Sequence, residues 1–212
     1  MITVIGDVHG KYDKYKKITK KHDFTVQLGD FGFSEWQRLD YDDDIDFNRH
    51  KVMGGNHDNY DICIHSNHYL GDFGCYTLNN LKFFFVRGGI SIDKVYREVE
   101  RVNGGPRSWW SQEQLTFRQM NECLKLYYQE KPDFVITHSC PTRLVKRLTN
   151  PDLLVKFGFD KGFEDSTSSF LDVLFNIHEP TLWIHGHMHK SKETKIGDTR
   201  FISLNELEVY EI

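Results

Sequence analysis

The sequence has no run of about 18 apolar residues, so no segment is expected to span a membrane as a helix. The opening MITVIGDVHG lacks the basic start and long apolar stretch of an export signal and reads as a strand. The expected location is the cytoplasm. No C-x-x-C pair occurs among Cys63, Cys75, Cys123 and Cys140. A disulfide frame and a thiolate zinc site are therefore not expected, and the four thiols read as reduced. Positive charge is not in excess either: 27 Lys and Arg stand against 31 Asp and Glu, a net charge of -4. That weighs against broad electrostatic attraction to long nucleic acid. Internal repeats and low-complexity segments are also missing.

What is present fits one domain over residues 1–212, with 39% hydrophobic residues to build a core. Residues 2–6 and 24–28 read as buried strands, and a helix over 11–21 between them makes a βαβ unit with a parallel sheet. A third strand is expected to end near Val52-Met53. The Asp40, Asp42, Asp43, Asp44 and Asp46 run before it lacks the glycine and distal Glu of a calcium loop and reads as surface. Residues 76–78 and 82–87 read as a hairpin turning at Asn79-Asn80. Phe83, Phe84 and Phe85 in a row suggest burial on both faces. Ser111 with Gln114 predicts a capped helix start. Further strands are expected over 133–137 and 181–185, a helix over 166–177, and two closing hairpins near Gly197-Asp198 and Asn205-Glu206. Residues 91–110 and 141–165 read as irregular loops, a feature that often serves function.

Eleven histidines in 212 residues call for a chemical explanation. Five predicted strands each end in a cluster of ligand-type residues: Asp7-Val8-His9-Gly10, Gly29-Asp30, Gly55-Asn56-His57-Asp58, Thr137-His138 and Gly186-His187-Met188-His189. Sites in such sheets form beyond the carboxyl ends of the strands, so these clusters can share one pocket. Mixed carboxylate, imidazole and amide donors suit Mn, Fe, Zn or Co. They are too many for one tetrahedral zinc and suit two ions with a shared carboxylate. Such a pair can clamp a phosphoryl group and acidify a bridging water, which is hydrolysis by in-line attack.

This order of motifs, D-x-H, G-D, G-N-H-D, H and G-H-x-H, resembles the calcineurin-like metallophosphoesterase family and spans residues 7–189. The resemblance implies an α/β metallophosphoesterase-type α/β/β/α sandwich, with two central mixed β-sheets flanked by helices. It implies two divalent metal ions, Mn2+ foremost, with Fe, Zn, Co or Ni as the others. Asp7, His9 and His189 are similar to the ligands of the first ion, Asp30 to the bridging carboxylate, and Asn56, His138 and His187 to the ligands of the second. His57 is similar to the family histidine that protonates the leaving oxygen. A phosphate-ester substrate follows, a phosphodiester, nucleotide or short nucleic acid before a phosphomonoester; no membrane and no partner protein are expected.

The second motif departs from the G-D-x-V-D-R-G of Ser/Thr protein phosphatases, reading Gly29-Asp30-Phe31-Gly32-Phe33-Ser34. This lowers a protein-phosphatase reading and leaves the partner of His57 unassigned, since the adjacent Asp58 can point away. A non-catalytic scaffold of the same fold is the reading from another class, and the intact motifs weigh against it. Residues 87–97 and 108–110 also resemble a subgroup of small bacterial and phage phosphoesterases. Arg87, Arg97 and Arg107 are candidates for phosphate contact, because a guanidinium fork matches phosphate oxygens, with a salt bridge as the plainer role. Trp109 and Trp110 suit base stacking or the core. Cys140 reads as an inert buried thiol rather than a redox-sensitive one.

Overall fold

The computed structural model describes residues 1–33 and 45–212, so Asp40, Asp42, Asp43 and Asp44 of the acidic run lie outside the described residues. In chain order the described elements begin β1 (Thr3–Ile5), α1 (Tyr12–Thr19), β2 (Thr25–Gln27), β3 (His50–Val52), α2 (Tyr60–Cys63), β4 (Phe73–Leu78) and β5 (Leu81–Val86). They continue α3 (Lys94–Val102), α4 (Phe117–Glu130), β6 (Phe134–Thr137), α5 (Thr142–Leu148), α6 (Pro151–Lys156) and α7 (Ser166–Ile177). The chain closes with β7 (Leu182–His185), β8 (Lys192–Ile196), β9 (Thr199–Ser203) and β10 (Val209–Glu211).

Two sheets result, ordered β10-β1-β2-β3 and β4-β5-β6-β7-β9-β8. β1, β2 and β3 are parallel, with β10 antiparallel on the outer edge. β5, β6, β7 and β9 are parallel, flanked by antiparallel β4 and β8. Side chains alternate faces along a strand, and here both faces are covered. Val4, Val26 and Leu28 of one sheet share a core with Phe83, Phe85, Ile136 and Ile184 of the other. Their sequence neighbours Phe84, Val135 and Trp183 face the helices α4, α5 and α7 instead. Ile5 and Val52 pack with Tyr15 and Tyr60 on the remaining outer face. This is the expected α/β/β/α sandwich, and it accounts for the three consecutive buried phenylalanines. Asn79 and Asn80 turn the β4–β5 hairpin with φ of 45° and 65°, the left-handed pair that a type I′ turn needs.

Four expectations need correction. Residues 91–110 hold α3, and residues 141–165 hold α5 and α6, so neither stretch is all loop. Ser111–Glu113 is a single 3-10 turn; the helix starts at Phe117, where Thr116 and Gln119 form the reciprocal cap. The turn near Asn205 does not close a hairpin, because β10 leaves the sheet of β9 and pairs with β1. Among the described residues no helix is long and apolar enough to cross a membrane.

Candidate metal centre

The ends of five parallel strands, β1, β2, β3, β6 and β7, carry the ligand-type clusters. Donor atoms of Asp7, His9, Asp30 and His189 lie within 4.8 Å of one another, and so do those of Asp30, His138 and His187. Asp30 is common to both groups. Asn56 joins the second, with Oδ1 2.9 Å from Nε2 of His138. Asp7, Asp30, Asn56 and His138 are buried.

The backbone is bent to achieve this. His9, Asp30, His187 and His189 have φ of 47°, 50°, 64° and 49°, a left-handed conformation costly for residues with a Cβ. The surroundings must hold them there. A Cβ at Gly55 would overlap Oδ1 of Asp30, and one at Gly186 would overlap Oδ1 of Asp7, so both motif glycines let backbone approach a carboxylate. The main-chain N–H of His187 donates to both oxygens of Asp7, and that of His57 donates to Oδ1 of Asp30 at 2.8 Å.

The remaining polar atoms are arranged for a cation. Asn56 Nδ2 donates to Ser91 Oγ at 2.9 Å and lies 3.1 Å from Nε2 of His57, which fixes its oxygen towards His138. His138 donates Nδ1–H to the Leu28 carbonyl at 2.9 Å, which leaves a lone pair on Nε2. Nε2 atoms of His9 and His189 face each other at 3.1 Å. Oδ2 of Asp30 is buried without a hydrogen-bond partner. Orphaned lone pairs converging from carboxylate, imidazole and amide fit divalent ions of mixed N/O preference. Burial opposes ionisation of Asp30, but the imidazoles of His138, His57, His9 and His187 outweigh it and hold the carboxyl below its usual range. Burial, then His138, pushes His187 well below its ordinary value, so its ring stays neutral as a ligand must. The hydrogen bond to Asp7 raises His189 against burial.

Other expected residues take separate places. Nε2 of His57 also lies 3.4 Å from Nη2 of Arg97, whose Nε donates to Asp93 at 2.8 Å; Nδ1 of His57 is buried and unpartnered. Asp58 does point away from His57. Its carboxylate accepts main-chain N–H groups of Phe31, Gly32, Phe33 and Gly55 and so ties the loops after β2 and β3 together. Arg87 is buried, bonded to Asp72 at 2.5 Å and to the Gln112 carbonyl at 2.6 Å, with its guanidinium 3.8 Å from the Tyr60 ring centre. Those partners take its Nε and Nη1. Arg107 is exposed and bonds the Trp109 carbonyl, and Trp110 is buried. Cys140 is fully buried and its thiol is pushed well up by that burial, which makes it inert. Ser91 and Asp93 reach the site from the stretch after β5 that the softer resemblance covers. A cavity of about 370 Å3 opens beside the cluster, lined by Asp30, His57 and His187 at one end and by α5 and α6 at the other.

A family model described as calcineurin-like phosphoesterase matches residues 1–191. The chain belongs to the calcineurin-like phosphoesterase family. As a member it is a metallophosphoesterase, a divalent-metal-dependent hydrolase acting on ester bonds. It is similar to a lariat debranching enzyme of Entamoeba histolytica, with 26% identity over 97% of this chain and 68% of that protein. A solved structure from Thermus thermophilus matches with 14% identity and a TM-score of 0.54, over 97% of this chain and 89% of that one. A putative 5′-nucleotidase from Staphylococcus aureus matches with 14% identity and a TM-score of 0.52, over 98% of this chain and 49% of that one. These two structures share the fold of this phosphoesterase.

Proposed function

We propose that this phosphoesterase cleaves phosphodiester or nucleotide substrates at a two-cation centre, with Mn2+ first among the metals and Fe, Zn, Co and Ni as alternatives. Asp7, His9 and His189 would hold one ion, Asn56, His138 and His187 the other, and Asp30 would touch both. The observation that carries this reading is the double membership of Asp30 in two groups of donors, each within 4.8 Å. Ions so held supply Lewis acidity, which neutralises phosphoryl charge and lowers the pKa of water.

The chain's own part is orientation and proton transfer. Asn56 and Arg97 engage Nε2 of His57, so a neutral His57 carries its proton on Nδ1. From there it would hydrogen-bond the departing ester oxygen, and full proton transfer would come from the imidazolium, which is left as the neutral ring. Arg97, held through Nε by Asp93, through Nη1 by the Ser108 carbonyl and beside His57 through Nη2, would meet phosphate oxygens with the second N–H of each terminal nitrogen. The similarity to a protein named lariat debranching enzyme supports the diester over the monoester. The absent D-R-G speaks against a protein phosphatase: Phe33 stands in place of the acid, buried, with its N–H given to Asp58.

The test is turnover of bis-p-nitrophenyl phosphate and p-nitrophenyl phosphate by the purified protein, with its metal content measured. The expected result is faster hydrolysis of the diester with Mn2+. Faster hydrolysis of the monoester would overturn the substrate class, and no turnover of either with Mn, Fe, Co, Ni or Zn would overturn the whole reading.

A further inference from the structure

The cavity beside the donor cluster is built for something other than phosphate. From Asp30, His57 and His187 it runs under α5 and α6 between Val145, Leu148, Leu154, Phe157, Phe163 and Met188. Most polar groups on its wall are already committed within the protein. Asp93 pairs with Arg97 and Glu164 with Lys146. Asp165 caps α7, Asn150 caps α6, and Ser168 lies 3.2 Å from the hydroxyl of Ser139. The Lys190 ammonium donates to the Leu148 carbonyl. Thr142 differs: its buried hydroxyl has no partner.

We infer that this cavity receives an ester group of the substrate, and that the group is an uncharged aliphatic chain. This deepens the phosphodiesterase reading and rests on it, since the chain enters from a phosphate held at the cluster. Apolar walls gain from removing methylenes from water. A nucleobase in the same place would bring several polar edge atoms to walls whose unpartnered polar atoms, apart from Asp30 Oδ2 and His57 Nδ1 at the donor cluster, come down to the Thr142 hydroxyl, and burying them unpaired costs affinity. The volume lies at the small end of the roughly 300–1,000 Å3 range of ligand pockets and suits one chain rather than a polymer.

The experiment is calorimetric binding of methyl-, butyl-, hexyl- and octylphosphonic acid to the Mn2+-loaded protein. Their P–C bond resists hydrolysis. Affinity is expected to rise about twofold to fourfold per methylene until the cavity is full. Val145→Trp, which fills the cavity from α5, should flatten that rise and leave methylphosphonate affinity unchanged; Leu153→Trp serves if the first variant does not fold. An affinity independent of chain length, or no binding by any member, overturns the inference. So does tighter binding by the methylenephosphonate analogue of adenosine 5′-phosphate than by octylphosphonate. Turnover of bis-p-nitrophenyl phosphate, measured in parallel, separates the two readings. Turnover without chain-length dependence sinks only the aliphatic assignment, and chain-length dependence without turnover sinks only the phosphodiesterase.

Discussion

The side-chain oxygen of Asn56 lies 2.9 Å from Nε2 of His138, and neither atom has a hydrogen to give the other. The Asn56 amide is turned to Ser91 and His57, and the His138 proton to the Leu28 carbonyl. Two lone pairs held face to face in a buried site are stabilised by a cation. Divalent metal should therefore stabilise the fold, by about 2.7 kcal/mol at a hundred times its Kd. Melting curves with Mn2+ and with a chelator measure this, and coincident curves would contradict it. The imidazoles must be neutral to bind, and His189, raised by its bond to Asp7, is the first to take up a proton while His187 stays neutral, so metal content should fall as pH drops through the range where His189 protonates.

His57→Ala should keep its metal and lose hydrolysis. For an alkyl ester the fall should be roughly 10²–10⁴. For a p-nitrophenyl ester it should be smaller, because that leaving group departs without a proton. Equal losses on both esters would remove proton donation from the role of His57.

Arg87→Met separates the phosphate-binding role that the sequence suggests from the contacts seen in the structure. Removing the guanidinium takes the cation from Asp72, which keeps hydrogen bonds from Gln119 and Tyr69, and the donor from the Gln112 carbonyl. A cost of roughly 2–3 kcal/mol is expected, below that of a fully buried pair because Asp72 keeps contact with water. Chemical denaturation would measure it, and KM for a diester should not change. A large rise in KM at unchanged stability would instead return Arg87 to the substrate.

His50 gives a pH signature away from the metal. It is buried in β3 with Nδ1 3.1 Å from the Thr25 hydroxyl. Burial, and then Arg49, push its pKa down to about 4. The unfolded chain takes up that proton at about pH 6.5, so the stability His50 contributes is full above that pH and is lost as pH falls towards 4. By pH 5 the loss is on the order of 1–2 kcal/mol. Denaturation midpoints of the native chain and His50→Gln at pH 7 and pH 5 check it. The variant should lose less on acidification.

The strand ends were legible because each hydrophobic run stops at a polar cluster, glycine-flanked in every case but Thr137-His138, a pattern that needs no long-range information. The helices α5 and α6 were not, because their prolines read as breaks. Pro141 and Pro151 stand at helix starts, where a missing N–H costs nothing. α3 does carry an apolar stripe at helical spacing, Val95, Val99 and Val102, but those side chains are exposed rather than packed on a core. At the start of α4, Ser111 with Gln114 and Thr116 with Gln119 make the same pattern, and only tertiary packing selects the second. The links of Ser91 to Asn56 and of Arg97 to His57 cross 35 and 40 residues, beyond what spacing alone reveals.

The pairing of β10 with β1 has a consequence for the order of assembly during synthesis. The Leu207 N–H bonds the carbonyl of Asp7, and the Gly6 N–H bonds that of Glu208. The segment bearing Asp7 and His9 thus acquires its outer neighbour only after some two hundred further residues have been translated. On the ribosome, β1 and Asp7 wait with one flank bare until positions 207–211 emerge and fasten them.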